Sequence, residues 1–212
     1  MHPNRIFVTG TGTDIGKTYV SAILTEALHA DYWKPVQAGY EGTTDSEWVR
    51  SMLSNPDSIV HPEFYKLKLA ASPHLAAADE GIEINIQTIA KQAPASNRPL
   101  IIEGAGGLMV PLNGREFVPD LIKQLDVPVI LVSRNMLGSI NHSLLTAMAC
   151  RQLNIKVLGW IFNDDYMDYA DEIVQWTGVP MLARIPFRQS PNATHISEQA
   201  ATLKSMMQQW KW

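Results

Sequence analysis

Apolar residues in this chain recur in two rhythms. Short unbroken runs lie at residues 5–8, 100–103, 127–133 and 157–162, as expected of parallel strands buried on both faces. Residues 32–36 read as a further short strand. Between these runs the spacing changes to that of helices. Val20, Ile23, Leu24, Ala27 and Leu28 follow i, i+3, i+4, i+7, i+8 and predict a buried stripe on one helix. Residues 45–53, 84–92, 139–153, 168–177 and 195–210 read as helices too. Ser72-Pro73 supplies a helix start, with serine as cap and proline in the first turn, and Gly81 closes that helix. Asn113-Gly114 marks a tight turn. Ile196, Ala200, Leu203, Met207 and Trp210 form a last stripe suited to core or dimer packing. This alternation predicts an α/β fold: one domain over residues 1–212, a parallel sheet with helices on both faces, and a site at the carboxyl ends of the strands.

Composition narrows the classes that remain. A chain of 212 residues is long enough to bury a full core, about 70% of its unfolded surface. Net charge is −4 without a basic cluster, which argues against nucleic acid as a partner. The single Cys150 excludes an intramolecular disulfide framework, and its apolar helical setting suits a small core residue better than a nucleophile. No apolar run approaches the ~20 residues that span a bilayer. The first residues pass straight into a strand, without the pattern of a signal peptide. The expectation is a cytoplasmic protein with no membrane partner.

The chemistry concentrates at Gly10-Thr11-Gly12-Thr13-Asp14-Ile15-Gly16-Lys17-Thr18, between the first strand and the first helix. Small residues let backbone N–H groups converge on phosphate oxygens, and the helix presents its positive end. Lys17 supplies a charge for the terminal phosphates, and the Thr18 hydroxyl can bind Mg2+. The usual first glycine falls at Thr11, with Gly10 one residue earlier, as in a loop with one extra residue. Gly-Lys-Thr alone would suit a glycine-rich turn before a core helix; the strand before it and helix after it favour a phosphate loop.

Other strand ends should point to the same mouth. The strand at residues 100–103 ends in Glu103, followed by Gly104-Ala105-Gly106-Gly107. An acid there can hold Mg2+, and the glycines permit close approach to phosphate. The second strand brings Lys34 to the same edge, and two lysines on one phosphate cleft suggest an anionic substrate that meets the γ-phosphate.

Taken in order, these segments resemble the ATP-dependent dethiobiotin synthetases. The matching pieces are residues 8–11 with Gly16-Lys17-Thr18, Lys34-Pro35-Val36-Gln37, Thr44-Asp45, Ser72-Pro73-His74, Glu103-Gly104-Ala105-Gly106-Gly107, Leu137-Gly138-Ser139-Ile140-Asn141-His142 and Gly159-Trp160-Ile161-Phe162-Asn163-Asp164. They run from residue 6 to about 188, nearly the whole chain. The resemblance implies a P-loop NTPase architecture, Rossmann-like and three-layered. It also implies a reaction in which ATP, CO2 and 7,8-diaminopelargonate (7,8-diaminononanoate) give dethiobiotin, ADP and phosphate. An amine captures CO2 as a carbamate, the carbamate attacks the γ-phosphate, and the neighbouring amine closes the ring on the carbamic-phosphoric anhydride.

The same resemblance assigns residues. Thr13, Asp14, Ile15, Gly16, Lys17 and Thr18 would bind ATP with Asp45, Glu103, Gly104, Ala105 and Gly106. Asn163 would contact the base beside Asp164, with Pro186, Phe187 and Arg188 as one wall. Thr18, Asp45 and Glu103 would hold Mg2+, and Lys17 and Lys34 would be catalytic. The diamine would meet Ala38, and its carboxylate the helix start at Leu137, Gly138 and Asn141 of a neighbouring subunit in a homodimer.

Some positions depart from the family pattern. Gly12 stands where aspartate is common, Asp14 where glutamate often sits, and Ala38 in place of a serine; the segment between Gly39 and Asp45 is short. His74 and His142 lack a matching ligand set and read as cap or packing residues. Asn163-Asp164-Asp165 has the wrong spacing for a guanine-reading motif. The rival is a regulatory ATPase of the same fold that positions cargo on DNA or membrane. Such switches carry an extra lysine early in the loop, where this chain has Gly12.

Overall fold

The computed structural model describes residues 4–40, 42–207 and 210. Strands β1 (Arg5–Gly10), β2 (Asp31–Trp33), β4 (Val60–His61), β6 (Leu100–Glu103), β7 (Val129–Arg134), β8 (Val157–Asn163) and β9 (Met181–Ile185) form one seven-stranded sheet. Its order is β4-β2-β6-β1-β7-β8-β9, and every pairing is parallel. All carboxyl ends therefore point to one edge. The order turns around at β1, the position at which an open α/β sheet forms its binding crevice.

Successive strand residues supply opposite cores, as the pleat requires. Ile6 and Val8 enter one core with α1 (Lys17–Leu28), Val49 of α2 (Asp45–Met52) and α8 (Ala193–Met207). Phe7 enters the other, covered by α3 (Pro73–Asp79), α4 (Ile86–Lys91), α5 (Val118–Leu125), α6 (Ser139–Gln152) and α7 (Ala170–Thr177). The stripe on α8 is core: Ile196, Ala200, Leu203 and Met207 are buried. Trp210 lies beyond the helix, where its indole donates to the Leu182 carbonyl at 3.2 Å; residues 208 and 209 lie outside the described residues. Cys150 is buried on α6, and burial pushes its thiol up to about 12.

Several boundaries differ from those the sequence suggests. The expected strand at residues 32–36 is two strands, because Pro35 has no N–H and turns the chain out of the main sheet. Pro35 accepts instead from Phe64 N and Tyr65 N, and β3 (Val36–Ala38) pairs with β5 (Tyr65–Leu67) in a separate parallel ribbon. Helix α4 starts at Ile86 because the Asn85 side chain accepts from Thr88 N at 2.8 Å and caps it. Before α7, a 3-10 turn at Tyr166–Asp168 holds Met167 at φ +55. Helix α5 escaped notice although Val118, Leu121, Ile122 and Leu125 have helical spacing; Asp120 caps it by accepting from Phe117 N at 2.8 Å.

Leu203 lies 2% exposed on the face of α8 that packs on α1. Leu203→Ala should cost about 2–5 kcal/mol. In urea unfolding this appears as a lower midpoint with an unchanged slope.

Candidate active site

The loop after β1 is pinned at its core side. Ile15 is buried among apolar neighbours, between Asp14 at φ +56 and Gly16 at φ +90. Gly16 caps α1, and among the described residues no side chain caps the first amides of that helix, so they remain for a ligand. Gly10 could not carry a side chain, since a Cβ there would fall 2.1 Å from the Val132 carbonyl oxygen.

Beside this loop a cleft of about 840 Å3 opens at the carboxyl edge of the sheet. Thr13, Asp14, Gly16, Lys17, Thr18, Lys34, Ala38, Asp45, Glu103, Ala105 and Gly106 all line it, as the sequence led one to expect. The hub is Glu103, 1% exposed. Its carboxylate accepts from Thr18 Oγ1 at 2.8 Å, Tyr32 OH at 2.9 Å and Lys34 Nζ at 3.1 Å. Lys34 also bridges to Asp45. Asp45 is placed by the start of α2, where Thr44 and Glu47 close a reciprocal cap: Glu47 N donates to Thr44 Oγ1 at 3.2 Å, and Thr44 N to Glu47 Oε2 at 2.8 Å.

The two lysines are tuned in opposite directions. Lys17 donates to the Gly12 carbonyl at 2.6 Å. Burial lowers its pKa to about 8, with Lys34 adding to the drop and Glu103 opposing it. Burial also pulls Lys34 down, but Glu103 and Asp45 outweigh it, so its pKa is raised. Lys34 thus stays charged near neutrality, while Lys17 is poised to be discharged by a modest rise in pH. Tyr32, fully enclosed, is pushed well above its ordinary value by burial and by Glu103, so its hydroxyl remains a donor.

Lys34 pairs with Asp45 and Glu103, and Thr18 donates to Glu103, so two carboxylates and a hydroxyl gather near a spot that already draws a cation. Hard oxygens converging where a cation sits are a donor set that fits Mg2+.

Other expected residues lie elsewhere. Ile15 faces the core behind the loop, and Gly104 is packed under Phe7, where a Cβ would meet the ring at 2.7 Å. Asn163 is buried behind the loop, its Nδ2 donating to the Ile15 carbonyl at 3.0 Å. Asp164 accepts from Asp165 N and Tyr166 N and pairs with Arg134 at 3.2 Å. Pro186, Phe187 and Arg188 are exposed after β9, and the Arg134 guanidinium sits 4.0 Å over the Phe187 ring. Leu137, Gly138 and Asn141 are not in the cleft lining: Leu137 is 92% exposed and Gly138 caps α6 at φ +91.

The sequence reading missed Tyr32, Tyr19, Trp48 and Ala70 as parts of this site. Trp48 could have been found, since it stands three residues after Asp45 on one helix face. Nothing local marks Tyr32, whose partner is 71 residues away.

Fold and cleft define a P-loop nucleotide-binding protein equipped for phosphoryl transfer. A family model described as an AAA domain matches residues 4–194. Proteins named ATP-dependent dethiobiotin synthetase BioD are similar over most of the chain. That of Cytophaga hutchinsonii is 52% identical over 85% of this chain and 87% of its own. That of Christiangramia forsetii is 46% identical over 86% and 87%, and that of Brucella ovis 43% over 92% and 92%. The chain belongs to the ATP-dependent dethiobiotin synthetase family. Among solved structures, a ParA family ATPase from Chlorobium tepidum superposes with a TM-score of 0.57 at 17% identity, covering 97% of this chain and 92% of that one. The Pyrococcus horikoshii septum site-determining protein MinD with Mg-ADP gives 0.56 at 15%, covering 95% and 88%. At such identities the likeness is one of fold.

The lowered pKa of Lys17 has a stability consequence. The folded chain holds this proton less tightly than the unfolded chain. The empty protein therefore bears the full cost of the charge below pH 8 and sheds it as pH rises toward the ordinary value of 10.5. Lys17→Met should stabilise the empty protein near neutral pH by on the order of 3 kcal/mol, with the gain vanishing above pH 10. MgATP affinity should be lost in the same variant. Urea unfolding at the two pH values and calorimetric titration check both.

Proposed function

We propose that this protein carries out ATP-dependent carboxylation and ring closure of 7,8-diaminopelargonate (7,8-diaminononanoate), forming dethiobiotin, ADP and phosphate in biotin synthesis. The observation that carries the reading is the convergence of Lys17, Thr18, Lys34, Asp45 and Glu103 on one cleft, in a chain 52% identical to a dethiobiotin synthetase.

The reaction must bring a carbamate against a triphosphate, two anions that repel. Catalysis is then mostly positioning and charge stabilisation. The loop amides and Lys17 grip the phosphates, and Thr18, Asp45 and Glu103 hold Mg2+. The metal, when bound, neutralises phosphate charge. Lys34, raised in pKa and held at the cleft floor, faces the carbamate oxygen and the departing phosphoryl group. The carbamate oxygen takes the γ-phosphoryl group as ADP is displaced, giving the carbamic-phosphoric anhydride; the second amine then attacks the carbamoyl carbon, losing a proton, and phosphate departs. Ala38 and the ribbon of β3 and β5 border the diamine.

The substrate's carboxylate belongs at the start of α6, supplied by a second subunit. That helix starts without a side-chain cap, and Leu137, Met136, Leu145 and Met148 stand exposed around and along it. An apolar surface of this kind is suited to a two-fold homodimer. The 212 residues act as one domain in the cytoplasm; among the described residues no helix is long and apolar enough to cross a membrane.

Protein, MgATP, bicarbonate and 7,8-diaminononanoate incubated together should yield dethiobiotin by mass spectrometry. ATP turnover that ignores the diamine and responds to DNA or lipid would favour the cargo-positioning class instead.

Lys34→Ala should lower kcat by at least a hundredfold, about 2.7 kcal/mol in the barrier, and alter ATP binding far less. Its target carries full charge only during the reaction. Single-turnover measurements separate the two; unchanged chemistry with collapsed ATP affinity would reassign Lys34 as a nucleotide ligand.

Asn141→Ala should raise the diamine KM with little change for ATP, and the decarboxylated diamine should bind mutant and wild type equally weakly. A fully active monomer in light scattering would remove the cross-subunit role.

A further inference from the structure

Asn163 closes β8 beside the phosphate loop and does not line the cleft. It is 3% exposed, and its Nδ2 donates to the carbonyl of Ile15, a residue 148 positions away, at 3.0 Å. It also fills the space a side chain at position 16 would need: a Cβ on Gly16 would fall 2.0 Å from Asn163 Nδ2. The peptide joining Ile15 to Gly16 is therefore held from behind at both ends, by a hydrogen bond and by contact.

That grip fixes direction. A trans peptide points its C=O and N–H to opposite sides, and no cis bond occurs among the described residues. With the Ile15 carbonyl drawn toward Asn163, the Gly16 N–H is turned the other way. Gly16 lines the cleft and is the residue before Lys17. The Ile15 side chain is meanwhile sunk in the core at 5% exposure, so the loop cannot roll to swap its carbonyl and amide. Left-handed residues on either side, Asp14 at φ +56 and Gly16 at φ +90, give the alternating backbone that makes a concave set of amides.

We infer that Asn163 is a positioning residue for the phosphate cradle: by holding Ile15 O it aims Gly16 N–H at the phosphates, whatever base the nucleotide carries. This rests on the reading of residues 10–18 as a phosphate loop and deepens it. A residue serving only as a base contact would have no influence on a ligand without a base. Among the described residues the side chain's Oδ1 has no hydrogen-bond partner, which leaves it available without disturbing the donor engaged on the loop.

The test uses inorganic tripolyphosphate with Mg2+, a ligand without base or ribose. Affinities for it and for MgATP are measured calorimetrically in the whole protein, wild type, Asn163→Asp and Asn163→Ala. Asn163→Asp keeps the shape but replaces the donor by a carboxylate that repels Ile15 O. Both variants should lose at least tenfold in affinity for tripolyphosphate and by a similar factor for ATP. Since the Gly16 amide binds ground and transition states alike, KM for ATP should rise while kcat at saturation stays within about threefold. Loss of ATP affinity with tripolyphosphate affinity intact would overturn the inference and leave Asn163 a base ligand.

A second measurement does not depend on a variant folding. In wild-type protein the Gly16 amide resonance should move on adding Mg-tripolyphosphate, and a bound ligand that leaves it unmoved would equally overturn the inference. Wild-type protein that binds tripolyphosphate in this way yet makes no dethiobiotin would count against the proposed reaction alone.

Discussion

Burying Glu103 is the constraint around which the site is organised. A carboxylate 1% exposed at the end of a central strand carries a desolvation cost of several kcal/mol unless its oxygens are satisfied. Three elements meet that demand: Thr18 from α1, Tyr32 from β2 and Lys34 from the turn where the chain leaves the main sheet. Each donor is thereby fixed relative to the phosphate loop, which the Thr18 backbone continues into α1. The same carboxylate opposes the fall in the Lys17 pKa and helps to raise that of Lys34. One acid orders the cation distribution of the whole cleft.

Proline at position 35 acts on the same geometry from the other side. By ending β2 after Trp33 it frees the chain to form the ribbon with residues 65–67, and that ribbon becomes the cleft's second bank. Gly39 ends that bank in close backbone packing: its N–H donates to the Leu67 carbonyl at 3.0 Å, and a Cβ there would come 2.7 Å from the Ala70 Cα.

What could be read in the sequence was mostly what is local. The loop at residues 10–18, the stripe of α1 and the buried strands follow from periodicity and glycine placement. Glu103 was legible through the rule that binding groups stand at strand ends, Asp45 through the family resemblance, and both line the cleft. The rest depends on chain segments that meet only on folding. The resemblance assigns Asn163 to the base, and its grip on Ile15, 148 positions away, has no periodic trace. Tyr32 reads as an ordinary strand aromatic until Glu103 is set beside it. The short strands β3, β4 and β5 hold two or three residues each, too few for any hydrophobic rhythm to register.

Cys150, set deep in α6 with its thiol pushed up to about 12, leaves almost no thiolate at neutral pH, and alkylating reagents react through the thiolate. The chain contains no other cysteine. The native protein is therefore a silent background for sulfhydryl labelling. A cysteine introduced at an exposed position away from the start of α6, such as Trp176 on α7, would accept a fluorophore or spin label at a single defined place. Distances and subunit exchange could then be followed without first stripping the protein of its own thiol.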